Sequence, residues 1–369
     1  MEQKMEKKIL IFMAEIMAFC AIIGNGILFF APQLREEKKK QEEYRQEKQK
    51  EEATMLLAKE KNAEAYLRDI SYRIERAEVR KKMKVELKKQ IVLTLPQNTS
   101  KTDVKVEQDR LRRTITIKIP KAGKEYFKLM PPDGTNPHLI EMTSKVVGET
   151  AILQMRTDQV MEVQKTANRY FCTLSFLTPQ EVYDKVVVVD AGHGAKSIGE
   201  VADGTKEKDV NLAIAQKLKE KLQAQGIGVY CTRTKDVNPT EQARAELANG
   251  VHADYLISIH CNAMQNKKFS YIYGIEGSYK DKKKGDAARK LAEQCVENAV
   301  LRSDSVNRGI QKDEQSVLLK KSKVPTVLVR VGFLSNDQER KKLTDQVYQE
   351  AIAQGLCDAI VTATEGDGK

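Results

Sequence analysis

The stretch that decides the fold is "KVVVVDAGHG", residues 185–194. Its valines show no polar alternation, so a strand here is covered on both faces. It runs straight into a turn carrying Gly192, His193 and Gly194. Next, "EKDVNLAIAQKLKEKLQAQG" (207–226) spaces its apolar residues along one face of a helix and stops at Gly226. The alternation continues outward. "IGVYCTR" (227–233) reads as a strand, "PTEQARAELANG" (239–250) as a helix and "ADYLISIHCNA" (253–263) as a third strand. A helix near 285–301, a "TVLVRV" strand (326–331) and a C-terminal helix over 338–363 follow. Buried strands alternating with helices predict an α/β domain over 184–364, with 365–369 as a tail.

Upstream the pattern changes. Over 91–180, "VLTL", "VKVE", "TITIKI" and "TLSFLT" alternate at period two between turn clusters such as "PPDGTNP". This predicts a small β-rich module, and it faintly resembles the β-sandwich modules that precede some cell-wall amidases. His138 lies in its Pro-rich turn and is expected to be solvated. Residues 34–90 are rich in Glu, Lys, Gln and Arg, which predicts a charged helical stalk. Ala63, Leu67, Ile70, Ile74 and Ala77 repeat at 4-3-4-3 spacing. A solvated helix and self-association through a short coiled coil both fit that stripe.

The N-terminal segment, residues 1–33, contains the apolar run "ILIFMAEIMAFCAIIGNGILFFA" (9–31), long enough for one membrane-spanning helix. A cleaved signal peptide is the rival, but the run is long for one and lacks a clean small-residue cleavage site. The basic residues of "REEKKKQEEYRQEKQK" (35–50) follow the run. Charge bias alone would therefore keep the C-terminal bulk in the cytoplasm.

The net charge of +11 suits an anionic partner, either a membrane surface or a wall polymer. Nucleic acid is not expected, because no recognition motif is present and aromatics are only 6% of the chain. Six cysteines stand singly, with no paired spacing, and read as small buried hydrophobes.

Working residues of an α/β sheet gather where its strands end. His193 follows the first strand, His260 closes the third and Glu207 opens the first helix. Two imidazoles and a carboxylate match an open catalytic zinc site. Packing in a turn and capping a strand explain the two histidines equally well on this ground alone.

Six ordered words tip the balance: "VVVDAGHGAKSIG", "EKDVNLAIAQKLKEKL", "VYCTRTKD", "ARAELANGVHADYLISIHCNA", "NRGIQ" and "VLVRVGFLSN". With them the chain resembles the zinc-dependent N-acetylmuramoyl-L-alanine amidases of the Amidase_3 type over residues 185–364. The resemblance implies a twisted mixed sheet flanked by helices. It also implies one zinc ion held by His193, Glu207 and His260. The substrate would be the amide between N-acetylmuramic acid and L-alanine of peptidoglycan. That substrate lies outside the cytoplasm, so the expectation becomes a single-pass cell-membrane protein with an extracytoplasmic C-terminal domain, against the charge bias. Asp190 would hold a ligating imidazole in its tautomer, although a turn cap fits it as well. Arg233 and Arg244 resemble the family's structural arginines, and a solvated or salt-bridged face fits them better than substrate contact.

One word departs from the family. Where the family's last strand carries the glutamate that serves as general base, this chain has Arg330. An arginine stays protonated and cannot take that proton. Glu200, Asp203 and Glu276 are alternative bases that nothing in the sequence aims at the metal. Two readings follow. One is an amidase of weakened activity. The other is a non-catalytic peptidoglycan-binding domain, serving as scaffold or regulator, in which Arg330 holds a stem-peptide carboxylate.

Overall fold

The computed structural model describes residues 63–369, apart from 265, 281–286 and 367–369, together with 45, 48 and 49. The expected anchor at 9–31, Cys20 and most of 34–62 lie outside the described residues. Among those described, no helix is long and apolar enough to cross a membrane. The chain divides into two units, 1–83 and 84–369.

In the first unit, helix α1 (Ala63–Lys82) carries the heptad stripe. It ends earlier than the expected residue 90. Arg80, Lys81 and Lys82 fill its last turn, where cations complement the exposed carbonyls. Gln90 belongs instead to a strand, where it pairs with Ser175.

The second unit opens with eight strands: β1 (Gln90–Thr94), β2 (Lys105–Asp109), β3 (Thr114–Pro120), β4 (Asp133–Gly134), β5 (Leu139–Val147), β6 (Thr150–Thr157), β7 (Glu162–Ala167) and β8 (Phe171–Leu177). The short helix α2 (Tyr126–Leu129) sits between β3 and β4. The strands form two sheets, β4-β1-β8-β7 and β2-β3-β6-β5, and every pairing within them is antiparallel. Period-two residues meet between the sheets: Ile115, Ile117 and Ile119 share one core with Ile91, Leu93, Leu153 and Leu174. His138 is half-buried rather than solvated, because Asp158 and Gln159 bond its ring.

A capped single turn, α3 (Pro179–Val182), leads into the α/β part. Its elements are β9 (Val186–Ala191), a hairpin of β10 (Val201–Ala202) and β11 (Thr205–Lys206), α4 (Glu207–Ala224), β12 (Gly228–Cys231), α5 (Glu241–Gly250) and β13 (Tyr255–Asn262). There follow β14 (Ile275–Tyr279), α6 (Ala287–Ser303), β15 (Asn307–Lys312), α7 (Val317–Lys321), β16 (Thr326–Phe333), α8 (Asp337–Thr344) and α9 (Gln346–Gly366). The single expected C-terminal helix is two, parted at Asp345, which caps the second by accepting the N–H groups of Val347 and Tyr348. Two strands, β14 and β15, were not read as such from their sequence. "IEGSY" and "NRGIQK" lack an apolar run: β14 is buried but fills two of its buried positions with Gly277 and Ser278, and β15, at the sheet edge, is mostly exposed.

The six strands order as β12-β9-β13-β16-β14-β15. β14 runs antiparallel to β16 while the other pairings are parallel, so the sheet is mixed. One face packs Val187, Val189, Ile257 and Val329 against the long helices. The opposite face packs Val186, Val188 and Leu256 with Tyr230, Ala245 and Leu318. This double coverage is why the β9 strand is buried throughout.

Candidate metal centre

β9 releases the chain into a turn that places His193 in the left-handed region, at φ +62°. Few side chains other than glycine adopt that conformation without cost, and here surrounding bonds hold it. Arg244 donates to the carbonyls of Ala191 (2.7 Å) and His193 (2.8 Å). Arg233 donates to the carbonyls of Ala191, Gly192 and Lys208. Arg233 and Arg244 are buried, at 4% and 3% exposure, so neither lies on a solvated face; they are structural, and Arg244 is salt-bridged to Asp190. They clamp the turn. The signal was their fixed place beside strand and helix ends, but sequence alone does not show which carbonyls they meet.

Asp190 does not hold an imidazole. Its carboxylate accepts from Thr232 (2.5 Å), Ser258 (2.5 Å) and Arg244 (2.6 Å). Burial works to raise its pKa, and the Arg244 charge and these bonds outweigh it, holding the carboxyl below the usual range. Asp190 thus anchors the clamp.

The partner of His193 is Ser197, whose Oγ lies 2.9 Å from Nδ1. That leaves Nε2 facing Glu207 Oε2 at 3.2 Å. His260, at the end of β13, faces Glu207 Oε1 through Nδ1 at 2.9 Å. The rings stand edge to face with centroids 5.0 Å apart. Gly192 permits this approach: a Cβ there would lie 2.3 Å from His260 Cε1.

Glu207 is the buried hub, 2% exposed, at the first position of α4. Backbone N–H groups of Cys261 (3.0 Å) and Glu200 (2.9 Å) donate to its two oxygens. Asn211, one helical turn on, adds a bond at 3.3 Å and ties Gly192 O. Burial raises the Glu207 pKa, but the bonds from His193 and His260 and the His260 charge prevail. The carboxyl is held well below its ordinary value and stays ionised at neutral pH. His193, Glu207 and His260 each offer one ligand atom, all within 4.8 Å of one another. The three residues singled out in the sequence therefore converge.

Arg330 lies beside them. On β16 it pairs across the sheet with His260 of β13 on one side and Glu276 of β14 on the other. Its Nη1 donates to Ser278 Oγ (2.9 Å) and lies 3.6 Å from Glu276 Oε1. Glu276 also meets Arg308 Nε at 3.6 Å and Asn262 Nδ2 at 3.0 Å. Of the three alternative bases, Glu276 is the one placed in this row. Asp203 is exposed and meets Arg340, and Glu200 contributes its backbone N–H to Glu207. Ser278 and Arg308 were missed by the sequence reading because β14 and β15 were.

Residues 187–362 match the family described as N-acetylmuramoyl-L-alanine amidase. The chain is 32% identical over 181 residues to the N-acetylmuramoyl-L-alanine amidase LytC of Bacillus subtilis (strain 168), covering 49% of this chain and 36% of LytC. This chain belongs, through residues 187–362, to the N-acetylmuramoyl-L-alanine amidase family. The amidase domain is also 28% identical over 192 residues to the germination-specific N-acetylmuramoyl-L-alanine amidase of the same strain, covering 48% of this chain and 78% of that protein. Among solved structures, the N-acetylmuramoyl-L-alanine amidase of Clostridium difficile 630 is 33% identical, with a TM-score of 0.47, covering 50% of this chain and 98% of that one. The mixed sheet flanked by helices that the resemblance implied is the one found over β9–β16.

Proposed function

We propose that the amidase domain acts on the amide between N-acetylmuramic acid and L-alanine of peptidoglycan, with one zinc ion at His193, Glu207 and His260. The observation that carries this is the convergence of those three ligand atoms in a domain of this family. The donors fit zinc: two imidazoles and one ionised carboxylate, with Ser197 fixing His193 so that Nε2 faces inward. When bound, zinc polarises the amide carbonyl and brings the pKa of a bound water to about 7.

The chain's own residues set the rest. Glu207 contributes negative charge and orients both imidazoles. The Arg233 and Arg244 clamp keeps His193 on the metal side of its turn. Arg330, at the family glutamate's position, cannot accept the proton of the attacking water or pass one to the leaving nitrogen. Loss of a general base costs about 10²- to 10⁴-fold, so hydrolysis by the native chain is weak. A second reading, binding without cleavage, rests on the same residue. Arg330 and Arg308 both reach the carboxylate of Glu276, which gathers two guanidinium groups in the row beside the candidate metal site. We further place this domain outside the cytoplasm, tethered by residues 9–31. That placement rests on the family's wall substrate and on the apolar run.

The test is metal content. Purified under non-chelating conditions, the full chain should carry about one zinc, and His260→Ala should lose it. A metal-free chain whose thermal stability zinc does not raise overturns the assignment.

A further inference from the structure

Strand β5 is an edge of its sheet, with β6 on one side and no strand on the other among the described residues. Its six residues Ile140–Lys145 are all exposed, on both faces. Ile140 is 52% and Val147 56% exposed. A long open edge with exposed apolar side chains is a template for strand pairing. Natural edges guard themselves with charge, and this one carries two, Glu141 and Lys145, of opposite sign.

The backbone polarity of β5 follows from its turn. β5 and β6 join through Gly148 and Glu149, with Val147 opposite Thr150 and Gly148 at φ +59°. A two-residue hairpin closes on a hydrogen-bonded pair. Alternation then directs the backbone groups of Val147, Lys145, Thr143 and Glu141 towards β6. Those of Val146, Ser144 and Met142 point out of the sheet.

We propose that β5 is a self-docking edge, at which two copies of this chain join antiparallel about a two-fold axis through Thr143. In this register Met142 exchanges backbone hydrogen bonds with Ser144 of the second copy, so outward groups meet outward groups. Glu141 stands opposite Lys145 of the second copy, and Lys145 opposite its Glu141. These are non-hydrogen-bonded pairs, where side chains approach most closely. Arg156 already lies 3.2 Å from Glu141, so each seam becomes an alternating row of cation, anion and cation.

Other registers fail on the same residues. One-residue slips oppose outward groups to inward ones and form no ladder. Centring on Met142 or Ser144 loses both ion pairs. Centring on Glu141 or Lys145 sets like charges face to face, which destabilises the pair. The sequence "EMTSK" (141–145) is thus electrostatically self-complementary about its midpoint. An isologous contact of this kind closes on itself as a dimer.

The axis supplies the test. Residues on it sit about 4.5 Å apart between Cα atoms, within disulfide reach. Full-length Thr143→Cys chain in mild detergent is exposed to a mild oxidant and read on a non-reducing gel. Covalent dimer should exceed the wild-type background at least tenfold. Gln154→Cys, opposite Thr143 on β6, should stay at background. Adding Lys145→Glu to Thr143→Cys should cut the yield at least tenfold, and adding Glu141→Lys as well should restore it. No excess dimer from Thr143→Cys, with unchanged melting, overturns the proposal. So does a yield that Lys145→Glu leaves intact. A wall substrate plays no part in these readouts, so they stand or fall apart from the amidase reading.

Discussion

Replacing Arg330 with glutamate puts a carboxylate at the register position beside His260, where the proposed reaction needs a general base. The structure sets what this costs in stability. The Arg330–Glu276 contact is 3.6 Å and a quarter exposed on the arginine side, so its loss is worth no more than about 1 kcal/mol. The bond to Ser278 at 2.9 Å involves a charged donor and adds about 1.5–3 kcal/mol. The new carboxylate would face Glu276, a like-charge cross-strand pair that costs up to about 1 kcal/mol. Glu276 keeps Arg308 and Asn262 as partners. The sum, about 2–5 kcal/mol, stays at or below the stability of an ordinary domain, about 5–15 kcal/mol. The variant should therefore fold. Adding Glu276→Gln should recover part of the loss.

Against that cost stands a gain in rate. A positioned base contributes at least about 10²-fold, or roughly 2.7 kcal/mol of barrier. The assay is release of free stem peptide from purified peptidoglycan at matched zinc. Arg330→Glu should exceed the native chain at least 10²-fold, while Arg330→Ala should not. Zinc should bind more tightly to both, because a cation leaves the row. If the native chain already matches the glutamate variant, another residue is the base and the reasoning about Arg330 is wrong. If the variant folds and binds zinc without cleaving, binding without cleavage is the better reading.

Three further outcomes are expected. Asp190→Asn strips the charge partner from a buried arginine. It should lower unfolding free energy by about 3–5 kcal/mol in urea titration, and a change under about 1 kcal/mol would contradict the clamp. Glu339 is buried in α8, accepting from Gly274 and Phe333 N–H groups, yet burial pushes its carboxyl up to about 7. A raised carboxyl pKa stabilises the fold fully below the unfolded value of about 4.5 and loses that contribution as pH rises through about 7. Melting temperature should thus fall between pH 5 and 8 more in the native chain than in Glu339→Gln, and parallel profiles would refute this. Protease added to intact cells should digest the amidase domain, whereas a protected domain would place it in the cytoplasm.

Much of the site was legible in the chain because its signals are local. Four valines running into a glycine turn announce a buried strand and its exit. His193 and His260 each close such a strand, and Glu207 opens the helix between them, so strand-end geometry gathers them without any distance being known. Arg330 stood out as plainly, a charged residue inside an apolar strand. What needed the tertiary structure is non-local. Asp190 and Arg244 are 54 residues apart, and a carboxylate between two strands cannot announce whether it will meet an imidazole or a guanidinium. Which nitrogen of each histidine turns inward depends on Ser197 and on the Glu207 rotamer. Glu276 became the neighbour of Arg330 only because β14, a strand of weak apolar signal, inserts antiparallel against β16. The mutual fit of Glu141 and Lys145 lies in the sequence, but only the fold leaves β5 at an edge, where a second copy meets it.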